Sequence, residues 1–225
     1  MAEPSGHRDE SIAGLGREAD LARDRLARSH RARETGLRLS RDLIRRSSES
    51  IRAVHRGELD RAESLIAEAR DLADEMTGAL KDFPAVMYAG FAEDGLKEYV
   101  EAAAVLAFVR GGPLPTSDDL GVGPAAYLGG LAEAASEMRR RILDLLRRDE
   151  VKGCEDLLDL MEEVYSVLVT MDYPDGLTRG LRHKTDALRA VLERTRGDLT
   201  VASRQRRLER RMTSLEDAIR ESTKG

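Results

Sequence analysis

Apolar side chains recur at steps of three and four residues along most of the chain, and no stretch shows a sustained two-residue alternation. Leu43, Ile44, Ile51 and Val54 fall at core spacing within Arg33 to about His55, which predicts a long helix that Gly57 ends. Leu65, Ile66, Ala69, Leu72 and Met76 form the apolar side of a second helix, from Leu59 to about Leu80. Pro84 interrupts the pattern. A short helical piece over residues 86–91 then leads through an Asp94-Gly95 turn into a third long helix, which Gly111-Gly-Pro-Leu-Pro115 breaks. After residues 116–124 a further helix carries Leu128, Leu131, Ala135, Met138, Ile142 and Leu145 on one stripe and continues to about Arg148. Helices over 154–171 and from 175 to about 220, parted by Tyr173-Pro-Asp-Gly176, complete the set. Six or seven helices with short connections predict an all-α antiparallel bundle. Pro4, Gly6, Gly14 and Gly16 mark residues 1–15 as a flexible tail ahead of a single domain over 16–225, and no fixed-period repeat or low-complexity segment divides that domain.

Composition narrows the class. Hydrophobic residues make up 41% of the 225, enough for one sizeable core, while aromatic content of 4% and no tryptophan argue against a β-sandwich or barrel. A single cysteine, Cys154, excludes an intramolecular disulfide framework and a cysteine-rich zinc site, and fits a reducing cytoplasm. No apolar run reaches the roughly 20 residues that span a bilayer, and residues 1–31 are too polar for a signal peptide. The expected location is therefore cytoplasmic. The net charge of −5 hides a strong arginine bias.

Two acidic pairs carry the clearest chemistry. Glu98 and Glu101 lie three apart and Glu133 and Glu137 four apart, so each pair points one way from its helix. The first pair shares a stripe with Val105 and Phe108, and Glu101 is the only charged side chain between Val100 and Val109, so these acids face the protein interior or a cleft. The second pair lies opposite its helix's apolar stripe. Ala126 and Gly130 share the glutamate side, where small residues let another helix approach. Two such helices packed together would aim four carboxylates at one place, a donor set suited to Mg²⁺, with Mn²⁺ as a substitute. Glu98, Glu101 and Glu133 are the expected direct ligands, with Glu137 completing the shell or orienting water. The competing reading is that each pair is an ordinary solvated helix feature, as Glu155, Asp159 and Glu162 are taken to be.

Basic residues suggest a polyanionic partner. Arg45, Arg46, Arg52, His55 and Arg56 concentrate on the first long helix, Arg139, Arg140 and Arg141 follow the second acidic pair, and Arg204, Arg206, Arg207, Arg210 and Arg211 crowd the last helix. Local clusters in an acidic protein point to phosphate contacts, although Arg207 and Arg211 have Glu209 and Glu216 as neighbours to pair with. His55 can contact a phosphate, shuttle a proton, or simply end its helix favourably. Tyr99 and Tyr127 fit either base stacking or the core. Gly129-Gly130 lacks the strand and lysine of a phosphate loop and reads as a packing site. No Glu-x-x-His accompanies the acids, which disfavours a ferritin-like di-iron centre.

Arg41-Asp-Leu-Ile with Ser47 and His55-Arg56, then Glu98-Tyr-Val-Glu-Ala102, then Tyr127-Leu-Gly-Gly-Leu-Ala-Glu-Ala-Ala-Ser-Glu-Met-Arg139, resemble the translin and translin-associated factor X (TRAX) family in order and spacing, with the look of an archaeal member. The resemblance implies an all-α fold of about seven helices, assembly into a hollow octamer, and single-stranded RNA or DNA as ligand. In the TRAX branch it also implies a Mg²⁺-dependent endoribonuclease whose Glu-x-x-Glu pair matches Glu98 and Glu101 and whose Asp-x-x-x-Glu pair matches Glu133 and Glu137. The chain departs at Glu133, where active eukaryotic members have Asp, and at Ser48 and Glu49, where TRAX-like sequences carry basic residues. Three functions are consistent with these residues. One is an endoribonuclease acting on single-stranded RNA inside a homo-oligomer. The second is a translin-like assembly that binds single-stranded RNA or DNA without cutting. The third, a helical Mg²⁺-dependent nucleoside triphosphate pyrophosphatase, lacks its Glu-Glu-x-x-Glu run, because Glu93-Asp-Gly breaks before Glu98.

Overall fold

The structure, a computed structural model, describes residues 5–150 and 153–223, with side-chain exposure from Gly14 onward. Among the described residues there are nine helices and no strand. They are α1 (Ser5–Arg56), α2 (Leu59–Leu80), α3 (Pro84–Met87), α4 (Phe91–Arg110), α5 (Ser117–Leu120), α6 (Pro124–Arg147), α7 (Cys154–Leu168), α8 (Asp175–Thr178) and α9 (Leu181–Ser222). The expected flexible tail falls partly outside the described residues; from Ser5 to Leu15 the backbone is the first part of α1. No helix among the described residues is long and apolar enough to cross a membrane.

Glycines in left-handed conformation close several helices, Gly57 and Gly111 where the sequence predicts, and Gly121 after a one-turn helix that the sequence did not mark. Gly57 (φ +79°) ends α1, Gly111 (φ +67°) ends α4, and Gly121 (φ +64°) ends α5. The short α5 is held by a capping box in which Thr116 and Asp119 satisfy each other's backbone amides. Asp94-Gly95 is not the expected turn. Both residues lie within α4, and Gly95 is buried against α1, where a Cβ would stand 2.9 Å from Ser40 Oγ. The glycine serves close approach, which Ser40 secures by donating a hydrogen bond to the Phe91 carbonyl at 2.7 Å.

Short connections fold α1 with α2, and α6 with α7, into antiparallel hairpins. The longer connection over residues 111–123 instead carries the chain back, so α4 and α6 run in the same sense: Gly130 meets Lys97 and Val100, and Ala126 packs in one cluster with Ala92 and Leu96. α9 takes the same direction along α6, with Lys184 beside Glu133, Arg139 beside Thr195, and Asp149 beside Arg206. The core forms two clusters. One, around Leu39, Leu43, Met76, Leu80 and Tyr99, joins α1, α2 and α4; the other, around Met138, Ile142, Met161, Leu188 and Leu192, joins α6, α7 and α9. The carboxylates stand along the line where α4 meets α6.

Candidate metal centre

Gly130 sets the spacing of that line. A Cβ there would lie 2.6 Å from Val100 Cβ and 2.7 Å from the Lys97 carbonyl oxygen, so only glycine allows α6 this close to α4. With the helices parallel and nearly touching, the Glu98/Glu101 pair faces the Glu133/Glu137 pair. One carboxylate oxygen from each of Glu98, Glu101 and Glu133 lies within 4.8 Å of the other two. Oxygens in an octahedral Mg²⁺ shell, each about 2.1 Å from the ion, lie roughly 3.0 Å apart when adjacent and roughly 4.2 Å apart when opposite, so the three side chains would draw inward to close on such an ion. An all-carboxylate set suits a hard cation rather than zinc.

Glu137 stands beside this group rather than in it. Its Oε1 faces His55 Nε2 at 2.6 Å and Arg140 at 3.5 Å. His55 is 9% exposed and its Nδ1 has no hydrogen-bond partner among the described residues, so Glu137 is the one polar contact of the imidazole there. A carboxylate oxygen accepts, so in this pair the imidazole donates through Nε2.

Two residues that the sequence did not mark complete the site. Lys97 Nζ contacts Glu98 at 3.1 Å and Glu133 at 2.5 Å, and Lys184 Nζ, reaching from α9, takes the other Glu133 oxygen at 2.5 Å. Burial works against the charge on Glu133, but hydrogen bonds from Lys184 and Lys97 outweigh it and hold its carboxyl below the ordinary range. Lys97 in turn loses something to burial and gains more from Glu133 and Glu98, so its ammonium stays charged above the usual lysine value. Glu101 makes no ion pair among the described residues, and the Lys97 charge offsets its surroundings only in part. Burial first, then the charges of Glu98 and Glu133, push its carboxyl up to about 8. In the resting cluster Glu98 and Glu133 are therefore held by lysines, and the surroundings of Glu101 favour its protonated form.

The predicted basic residues divide. Arg45 pairs with Asp42 at 3.0 Å, Arg46 with Glu49 and Glu68 at 2.9 Å each, and Arg56 with Glu58 at 2.7 Å. Arg139 is tied to Asp198 at 2.8 Å and Thr195 at 3.1 Å. Arg52 is exposed, and neither it nor Arg141 makes an ion pair among the described residues. A groove of about 430 Å³ between α6 and α9, lined by Ser136, Arg139, Arg140 and Arg147, opens next to Glu137. Tyr99 is fully buried with Arg70 donating to its hydroxyl at 3.2 Å, and Tyr127 donates to the Pro115 carbonyl at 2.9 Å, so both belong to the packing. Cys154 is buried, and burial pushes its thiol pKa up, consistent with a structural role.

No protein-family model matches the chain. An uncharacterized protein of Methanocaldococcus jannaschii is 28% identical over 176 residues, 77% of this chain and 78% of its own length. Among solved structures, AfC3PO, determined alone and in a complex with duplex RNA, superposes with a TM-score of 0.78 in both cases at 33% and 34% identity, over 84% of this chain and 98% of its own. Apo-NeC3PO, 20% identical, shares the fold with a TM-score of 0.67 over 90% of this chain and 99% of its own.

Proposed function

Because this chain belongs to the translin/TRAX family, we propose that it is a Mg²⁺-dependent endoribonuclease that cleaves single-stranded RNA inside a hollow homo-oligomer, an octamer as in that family. The observation that carries this reading is the convergence of Glu98, Glu101 and Glu133 within 4.8 Å, all three of them partly buried.

Glu98, Glu101 and Glu133 hold the cation. Mg²⁺, or Mn²⁺ in its place, supplies charge neutralisation and Lewis acidity at a phosphodiester when bound. Glu133 becomes available as Lys97 and Lys184 give up its oxygens, and the two freed ammonium groups remain beside the phosphate as additional positive charge. Glu137, oriented by His55 Nε2, accepts the proton of the attacking water. Arg140, beside Glu137, and the exposed Arg52 on α1 bind the strand's phosphates, and the arginine-lined groove between α6 and α9 extends that path. Arg45, Arg46, Arg56 and Arg139 are held by neighbouring acids, which limits the contacts they offer a strand. The glutamate at 133 is one methylene longer than the aspartate of active eukaryotic members, and the two lysines that grip it restrain the longer side chain.

The duplex RNA bound to AfC3PO favours a second reading, a binding assembly that holds RNA without cutting it. Purified protein with a labelled single-stranded RNA, and with a duplex of the same sequence, in Mg²⁺ and in EDTA, separates the two. Glu98→Gln should abolish metal-dependent cleavage and leave RNA binding intact. Binding without cleavage in the wild type would establish the second reading. Absence of both, with pyrophosphate released from nucleoside triphosphates, would replace each with the nucleotide hydrolase.

A further inference from the structure

The outer half of α9 carries an apolar stripe that none of the described residues covers. Val201, Leu208, Met212, Leu215 and Ile219 are 54–65% exposed. With Gln205 they follow one another at alternating steps of four and three residues, the a and d positions of a heptad seam. The inner half of α9 has its own seam of Leu181, Thr185, Leu188, Leu192, Thr195 and Leu199, all buried in the bundle. Continued outward, that inner seam would run through Ala202 and Arg206. The exposed one runs through Val201 and Gln205 instead, one residue out of phase and thus about 100° around the helix. It is therefore a separate face, and it is not the end of the intramolecular seam running past the bundle. The Asp149 to Arg206 contact at 3.9 Å is the outermost ion pair from α9 to another part of the chain among the described residues.

The charges beside the stripe identify its occupant. Arg204 and Arg211 fall at g positions, and Glu209 and Glu216 fall at e positions. When two parallel helices pair in register, each g residue faces the e residue five positions on in the other helix. Arg204 then meets Glu209 of the partner subunit, and Arg211 meets Glu216 of the partner subunit. Antiparallel pairing would set arginine against arginine and glutamate against glutamate. Ile219 and Met212 at a, with Leu208 and Leu215 at d, favour two strands, and Gln205 as a lone polar a residue fixes the register.

We propose that residues 201–222 of α9 pair with the same segment of a second copy of this chain as a parallel two-stranded coiled coil. At about 33 Å the seam is short, so it reinforces contacts between bundles by holding two copies at high effective concentration. It does not depend on what the glutamates do, and its failure would leave the carboxylate site untouched.

The test uses full-length protein. Cys154 is fully buried, so an introduced thiol is the one open to mild oxidation. Met212→Cys and Ile219→Cys should each give an interchain disulfide, and Asp217→Cys, on the outward face, should not. In sedimentation, Arg211→Glu should weaken association about tenfold, and Arg211→Glu combined with Glu216→Arg should restore it. Leu208 and Leu215 are exposed, so Leu208→Asp with Leu215→Asp leaves the bundle folded, as helical circular dichroism would verify, and should weaken association further. Equal cross-linking at 212, 217 and 219, or none with association unchanged by the aspartates, would overturn the proposal. So would association that the aspartates disrupt without any cross-link at 212 or 219, because that outcome places a different segment on the stripe.

Discussion

In metal-free protein at pH 7 Glu101 carries a proton, since burial and the charges of Glu98 and Glu133 push its carboxyl up to about 8. A cation that takes Glu101 as a ligand must displace that proton, so cation affinity and pH are linked. Below pH 8 the affinity falls by a factor approaching ten per pH unit, and the dissociation constant at pH 6 should be about 50-fold weaker than at pH 8. Calorimetric titration with Mg²⁺ or Mn²⁺ in two buffers of different ionisation enthalpy counts the protons released, with about one expected near pH 6.5 and almost none above pH 9. Glu101→Gln has no proton to give up, so its binding should be weaker but flat with pH. The same group acts on the fold in the opposite direction. Unfolded, Glu101 ionises near its ordinary 4.5; folded, near 8, so in that window the native state binds more protons than the unfolded state and its stability falls as pH rises. Melting curves should therefore show Glu101→Gln gaining on the wild type between those limits. Wild-type affinity that is constant from pH 6 to 8, or proton release that survives in Glu101→Gln, would refute the reasoning.

Two other perturbations address the same line of contact. Gly130→Ala forces a Cβ against Val100 and the Lys97 carbonyl, so it should cost about 1–3 kcal/mol in urea unfolding and, by shifting α6 against α4, reduce cleavage more than RNA binding; unaltered stability would mean the helices are less tightly apposed than these distances require. Lys97→Met removes an ammonium that occupies Glu98 and Glu133, so the metal-free protein should melt earlier while Mg²⁺ binds more tightly. Weaker Mg²⁺ binding in calorimetry would show that Lys97 supports the ion instead of competing with it.

The helices and their ends were legible because they depend on local signals. Gly57 and Gly111 stop helices where the apolar periodicity stops, whereas α5, capped by Thr116 and Asp119, spans a single turn and is too short to show a period. Gly95 was misread because a glycine needed for close packing looks in sequence like one needed for a turn; only the presence of Ser40 on the facing helix separates the two. The acidic pairs were visible through helical spacing, and Gly130 showed that their two helices could meet. Lys97 and Lys184 were not visible as partners of Glu133, since they reach it across 36 and 51 residues. A weak signal was present: the chain has only five lysines against a large excess of arginine, and two of the five converge on one carboxylate. Which arginines are tied into ion pairs was not legible for a related reason. Their partners, such as Asp42 for Arg45 and Glu49 for Arg46, sit one turn away, and helical spacing predicts those local pairs as well as it predicts a free basic face.

Lys97 and Lys184 also affect how this chain can be made and kept. Many small metal sites take shape only when their ion arrives, because unscreened ligands repel one another and leave the apo chain unfolded. Here the polypeptide supplies its own counter-ions, so the helices can close over the acids as soon as α9 docks, whatever the cation supply at that moment. Depletion of the cation would then silence the site without denaturing it, and replenishment would restore it without refolding.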